Sequence, residues 1–184
     1  MSAEPVVREI VFEALFVRAH QPTGGFREKL KSAGFDLGRP QPEYPCSVLG
    51  RSVEVAVAEL LPGETRAHAT RELGRRFTGG ILSTPLGRAI GTALFVAGPI
   101  RVVKRVPALV KSDFGMELRV EQTPGAGCRV FAAPATPAWF AEFLAGVFEA
   151  LLVRANVRPT VELKPAPDAS SAFMLEVAWA AKAD

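Results

Sequence analysis

The stretch Met116–Ala133, "MELRVEQTPGAGCRVFAA", decides how the chain is read. "MELRVEQ" alternates in the manner of a half-buried strand, "TPGAG" supplies turn residues and "CRVFAA" returns, which together predict a β-hairpin. Downstream, Thr136-Pro137 is a cap-and-proline start for a long helix over 137–156. Along it Trp139 or Phe140, Phe143, Leu144, Val147, Phe148, Leu151 and Leu152 recur at three- and four-residue steps, one apolar stripe. "TVELKP" and "AFMLEVAWA" are two further alternating strands around the turn "APDASS". Residues from about 115 to 180 therefore read as ββαββ.

Upstream the period is helical. Val6–Ala19 has near-helical apolar spacing, and "GGFREKLKSAG" reads as a short helix stopped by Gly34. After the proline-rich loop "DLGRPQPEYP" come "CSVLGRSVEVAVAEL" and "GETRAHATRELGRRF", two helices, although the alternation of Val53–Val57 also suits a strand. Gly79 and Gly80 are expected to end the second of them in a turn. Thr84-Pro85 starts a helix over 85–97, and Gly98-Pro99 separates it from another over 99–112. The apolar run "AIGTALFVAGPI" is flanked by Arg88 and Arg101 and is shorter than the roughly 20 residues of a membrane span. It is expected to be a buried core helix, with Gly87 and Gly91 allowing close approach of a neighbour. The fold class is α+β: a helical N-terminal half (about 6–112) packed on a four-stranded antiparallel sheet, the 184 residues making a single domain.

Apolar residues at 48% and charged ones at 22% belong to an ordinary globular chain. Cys46 and Cys128 are far apart, without Cys-x-x-Cys or histidine spacing, so neither a zinc site nor a disulfide scaffold is expected. The N-terminus carries acids inside its apolar run, unlike a secretory signal, and the cytoplasm is the expected compartment.

Several chemistries are excluded by residue type. "GRRFTGG" begins like a phosphate-binding loop, but Gly80 and Ile81 stand where Lys and Ser or Thr are required. "GAG" at Gly125–Gly127 lacks the third glycine of a dinucleotide fingerprint and lies in a hairpin. There is no Gly-x-Ser-x-Gly elbow, His68 reads as an exposed helical residue, and His20 ends the first helix, where an imidazolium would suit the helix dipole. No catalytic residue, metal ligand or cofactor site is expected, and the chain is read as a non-enzyme.

Charge is distributed unevenly. Thr65–Lys111 carries nine Lys or Arg against Glu72 alone, while the whole chain has a net charge of only +3. Arg101, Lys104 and Arg105 share one helical face, with Val102, Val103 and Val106 left to anchor the other. Arg71 and Arg75 share a face too, and Glu54, Glu59 and Glu64 are available to pair with such bases. The trio Arg101, Lys104 and Arg105 is the candidate basic surface for an acidic protein or other anionic partner. Nucleic acid is disfavoured because aromatic residues are not interleaved with the basic ones.

"LGRRFTGGILSTPLGRAI", "GPIRVVKRVP", the hairpin, the helix and the tryptophan of "LEVAWA" together resemble a family of uncharacterised, multiply paralogous myxobacterial proteins. The likeness runs from "VFEALF" to Trp179 and implies no established activity. More remotely, the order of helices followed by ββαββ is similar to the haem nitric-oxide/oxygen-binding sensors and the four-vinyl-reductase-type ligand domains. In the haem sensors a histidine on the helix before the sheet ligates iron and a Tyr-x-Ser-x-Arg motif holds the propionates. Residues 99–112 contain no histidine, and the one tyrosine, Tyr44, lies early in the chain. The resemblance thus implies a sensory or regulatory module without haem, binding an apolar small molecule or a protein partner. Phe95, Phe143, Val147 and Phe148 are the candidate pocket or core residues.

Overall fold

The computed structural model describes residues 4–181; within the helix Pro85–Ala97 the side chains of residues 85, 86, 90, 94, 95 and 97 lie outside the description. Strand β1 (Val6–Arg8) leads into helix α1 (Glu9–Phe12), which continues as a π-helix over Glu13–Arg18. Next come α2 (Gly24–Ser32), β2 (Glu43–Pro45), α3 (Cys46–Leu60), α4 (Arg66–Ser83), α5 (Pro85–Ala97) and α6 (Pro99–Phe114). The hairpin β3 (Leu118–Thr123) and β4 (Gly127–Ala132), helix α7 (Trp139–Arg154) and strands β5 (Val157–Lys164) and β6 (Phe173–Ala181) complete it. The α+β class and the ββαββ order are as the sequence predicts.

The sheet is antiparallel throughout, in the order β3-β4-β6-β5. Alternation gives it two unlike faces. Cys128, Val130, Leu175, Val177 and Val161 are buried on the inner face, whereas Arg129, Glu176 and Glu162 point to solvent. Pro159, which lacks an amide donor, is accommodated because β5 is an edge strand.

Helix α7 lies between the inner face and α4. It buries Phe140, Phe143, Leu144, Val147, Phe148 and Leu152, the expected stripe, with Trp139 and Leu151 only partly covered. Its opposite side meets α4 backbone to backbone. A Cβ on Gly146 would stand 1.9 Å from the Arg71 carbonyl oxygen, and one on Gly74 would stand 2.0 Å from that of Phe143. No side chain larger than hydrogen fits at either position, so this glycine pair sets the spacing of the two helices.

Several local expectations are corrected. Val6–Arg8 is a strand, not helix, because it pairs with the end of the proline-rich loop, Val7 opposite Tyr44. Val53–Val57 is helical within α3, with Val53 and Ala56 turned inward, so the helix reading holds there and the strand alternative falls. Gly79 and Gly80 do not end α4, which runs on to Ser83; neither has a positive φ. Gly80 is there because a Cβ would meet the Ala14 carbonyl oxygen at 2.0 Å, where the first helix crosses α4. The apolar helix α5 is not covered all round as a buried core helix would be: among its described residues Ala89, Thr92 and Ala93 are exposed and Val96 is 80% exposed. Gly87 does permit a close approach, to Ile81 at the end of α4, but Gly91 meets only ordinary contact from Leu82. Finally, the buried Thr136 gives α7 no side-chain cap.

The starts of α5 and α6 form as the sequence implies. The Thr84 hydroxyl accepts from the Gly87 amide at 2.8 Å with Pro85 in the first turn, and Gly98, at φ 80°, turns the chain into Pro99.

Candidate functional site

Two regions concentrate charge, and both draw on Thr65–Lys111. In the first, α4 and α7 are cross-linked by ion pairs beside the glycine contact. Arg71 Nε donates to Glu142 at 2.7 Å, and its Nη1 reaches Glu149 at 3.3 Å and the Val161 carbonyl at 3.2 Å. Arg75 bridges Glu149 at 2.7 Å and Glu72 at 3.0 Å, while Arg76 donates to Glu72 at 2.9 Å. Partial burial opposes ionisation of Glu72, yet the hydrogen bonds from Arg76 and Arg75 outweigh it and hold the carboxyl below its ordinary value. Of the expected acidic partners, Glu54 pairs with Arg66, but Glu59 takes Lys29 and Glu64 lies 3.8 Å from His68. Arg71, Arg75 and Arg76 are therefore consumed within the fold.

The second region is α6. Its inner stripe, Val102, Val103, Val106, Val110 and Phe114, is buried. Arg101, Lys104 and Arg105 are exposed on the outer stripe, followed by Ala108 and Leu109, the latter 51% exposed. Among the described residues no carboxylate lies within ion-pair distance of the three cations, whereas Lys111 on the same stripe pairs with Glu117 at 2.9 Å. The exposed stripe begins at Arg101, three residues beyond Gly98, the residue that separates α5 from α6.

The space between helical half and sheet is occupied by rings. Phe114 on α6 packs 5.7 Å from Phe77 of α4, 5.1 Å from Phe140 and 6.0 Å from Phe143 of α7, with Trp139 6.0 Å from Phe143. Phe143, Val147 and Phe148 all belong to this core, while the Phe95 side chain falls outside the described ones. A shallow groove of about 290 Å³ lies instead on the outside of the α4–α7 pair, lined by Arg75, Thr78, Gly79, Leu82, Glu149, Val153 and Arg154.

The chemistry available is sparse. No group of three or more His, Cys, Asp or Glu that could hold a metal occurs among the described residues. Burial first, then Arg76, pushes the His20 imidazole down to about 4, against the pull of Glu72. His20 is thus neutral at pH 7, not the imidazolium expected from the helix dipole, and its buried Nε2 lacks a hydrogen-bond partner. His68 is exposed on α4, as expected. Burial pushes the Cys46 and Cys128 thiols up to about 11, out of the range of reactive thiolates.

Residues 6–180 match the family described as "Protein of unknown function (DUF2378)". The chain belongs to this family. No curated protein matches it at a significant level. Among solved structures it is similar to an H-NOX protein mutant from S. oneidensis in the Fe(II) ligation state, with TM-score 0.68 and 11% identity over 97% of this chain and 98% of that one. A mutant Fe(II) unliganded H-NOX protein from K. algicida gives 0.66 and 12%, covering 95% and 97%. An oxygen-binding H-NOX domain related to soluble guanylate cyclases gives 0.65 and 11%, covering 92% and 91%. At these identities the likeness is one of fold, and it bears out the resemblance drawn from element order. This DUF2378 chain keeps that fold while presenting an apolar valine stripe and Phe114, with no imidazole, on the helix that precedes the sheet.

Sequence reasoning located the trio on α6 and the α7 stripe. It missed the ion-pair cluster, whose members Arg71 and Glu149 are separated by 78 residues. The available signal was acids at Glu142 and Glu149 on a helix otherwise apolar as far as Arg154, a pattern that calls for cations on the helix packed against it.

Proposed function

We propose that this chain is a non-catalytic regulatory module of the cytoplasm that retains the H-NOX fold without haem and acts by docking an anionic partner on the outer face of α6. One observation carries the reading. Six of the segment's arginines and lysines fall into two groups: Arg71, Arg75 and Arg76 are neutralised inside the fold, and Arg101, Lys104 and Arg105 are presented to solvent with no carboxylate partner among the described residues. A clustered cation face of this kind accelerates encounter with an acidic surface and weakens with salt, because the Debye length is about 10 Å at 0.1 M and shorter above it.

Haem does not suit the residues present. An axial ligand is missing from α6, and the rings of Phe77, Phe114, Phe140 and Phe143 fill the space between the halves. The neutral, partly buried His20 and the two raised thiols do not form a nucleophile-and-base pair, which supports the non-enzymatic reading. A second reading, an apolar small molecule, is favoured by the α4–α7 groove, where Gly79 leaves the helix backbone uncovered.

The test is recovery of partners from native lysate by wild-type protein and by the triple variant Arg101→Glu, Lys104→Glu, Arg105→Glu. Salt-sensitive partners present only with wild type support the docking face. Identical recovery at low and high salt refutes an acidic protein as the partner of this face, and a small molecule retained in native mass spectrometry then favours the groove.

A further inference from the structure

Resting on the reading that Arg101, Lys104 and Arg105 bind an anionic partner, we propose that this partner is an anionic lipid surface and that α5 lies in its interface. Charge alone would suit an acidic protein equally well. The neighbouring helix makes the difference.

From Ala89 to Ile100 twelve consecutive residues carry no charge, and Arg88 and Arg101 bracket them. In an apolar run of this kind burial is the usual outcome, yet Ala89, Thr92, Ala93 and Val96 of α5 face solvent, Val96 at 80% exposure. These four recur at three- and four-residue steps together with Arg88, so they form a single helical face. Its side chains are small, all but the Thr92 hydroxyl apolar, with one cation at the N-terminal end. On α6 the outer stripe mixes the same two ingredients: Arg101, Lys104 and Arg105 are followed by exposed Ala108 and half-exposed Leu109.

A uniformly acidic polypeptide would satisfy the cations and leave Val96 and Leu109 uncovered. A bilayer interface of anionic lipids supplies both, phosphates for the basic side chains and acyl chains just below for the apolar ones. The geometry is compatible with lying on a membrane and not with crossing it. Among the described residues no helix is long and apolar enough to span a bilayer, and the 13 residues of α5 extend about 20 Å against a hydrocarbon thickness of about 30 Å. The remaining bases of the segment do not compete for the role, since Arg66, Arg71, Arg75, Arg76 and Lys111 are all engaged by carboxylates. Shallow insertion of a weakly apolar face together with a few cations gives reversible, salt-sensitive attachment.

Co-sedimentation of the full chain with vesicles tests this directly. One set is phosphatidylcholine alone, the other phosphatidylcholine mixed with phosphatidylglycerol; immobilised polyglutamate is the acidic-polypeptide arm. Wild type is expected to pellet with the mixed vesicles only, and the triple glutamate variant to lose that partitioning by roughly a hundredfold or more. Val96→Glu, at a site too exposed to matter for folding, is expected to weaken vesicle binding about tenfold or more and leave polyglutamate retention unchanged, with Val96→Leu binding vesicles at least as well as wild type. Thermal melts of each variant accompany the measurement, and Val96→Glu stands as the decisive variant if the triple one unfolds. Failure to bind anionic vesicles combined with trio-dependent retention on polyglutamate overturns the lipid assignment and leaves the anionic-partner reading standing. Failure in both arms overturns both. Vesicle binding that survives Val96→Glu and the triple reversal removes this surface as the attachment site.

Discussion

Adjacent glycines in α4 are expected to respond in opposite directions to the same substitution. At Gly79 a Cβ would have nothing within 4 Å, so alanine there only replaces a poor helix former with a good one. The gain is about 0.8–1 kcal/mol. At Gly80 the added carbon would stand 2.0 Å from the Ala14 carbonyl oxygen, which is backbone and cannot rotate away. Overpacking of this kind costs about 1–3 kcal/mol, and contact with a main-chain atom belongs at the upper end, leaving a net loss near 2 kcal/mol after the same propensity gain. For a chain of this size each kcal/mol moves the midpoint by about 2–4 °C. Gly79→Ala should therefore raise Tm by about 2–4 °C and Gly80→Ala lower it by about 4–8 °C, read by circular dichroism or scanning calorimetry. Equal shifts of one sign would refute the crossing of the first helix on α4, since a turn at these positions treats the two glycines alike.

Three further outcomes follow from burial and charge. Phe148→Ala should cost about 3–5 kcal/mol and lower Tm sharply, because the ring is fully buried; an unchanged melt would show that it does not belong to the core. Native protein at pH 7 to 8 should give no fast reaction with a thiol reagent, whereas guanidinium should release both Cys46 and Cys128; rapid native labelling of either contradicts the raised thiols. His20 titrates near 4 when folded and near 6.5 when unfolded, so the unfolded chain binds more protons between those values. Its contribution is complete above pH about 6.5 and falls away as the pH drops toward 4; His20→Gln should flatten the Tm profile in that window, and an unchanged profile contradicts the burial of the imidazole.

Much of the architecture was legible because it rests on local periodicity. The hairpin at 118–132, the stripe of α7 and the proline starts of α5 and α6 all depend on residues within a few positions of one another. What escaped reading depends on partners far along the chain. Val6–Arg8 is extended only because Tyr44 and its neighbours pair with it, and a three-residue strand has no period of its own to detect. Gly74 and Gly146 look like weak points in two helices until the helices are crossed, when each becomes the site of the other's backbone. The exposure of Ala89, Thr92, Ala93 and Val96 on α5 was hidden for the complementary reason: apolar composition predicts burial, and nothing local says which face a helix leaves uncovered. The basic trio was legible because i, i+3 and i+4 spacing fixes a helical face, while the fate of Arg71 and Arg75 was decided by Glu142 and Glu149.

The proposal that this chain keeps the H-NOX fold without haem can be tested by one absorption spectrum. Protein from cells supplied with haem precursor, then titrated with haemin, is expected to show no stoichiometric Soret band and only the weak, unsaturable absorbance of free haemin. A stoichiometric Soret band that disappears in His20→Ala or His68→Ala would contradict it, showing an iron ligand recruited from outside the histidine-free α6.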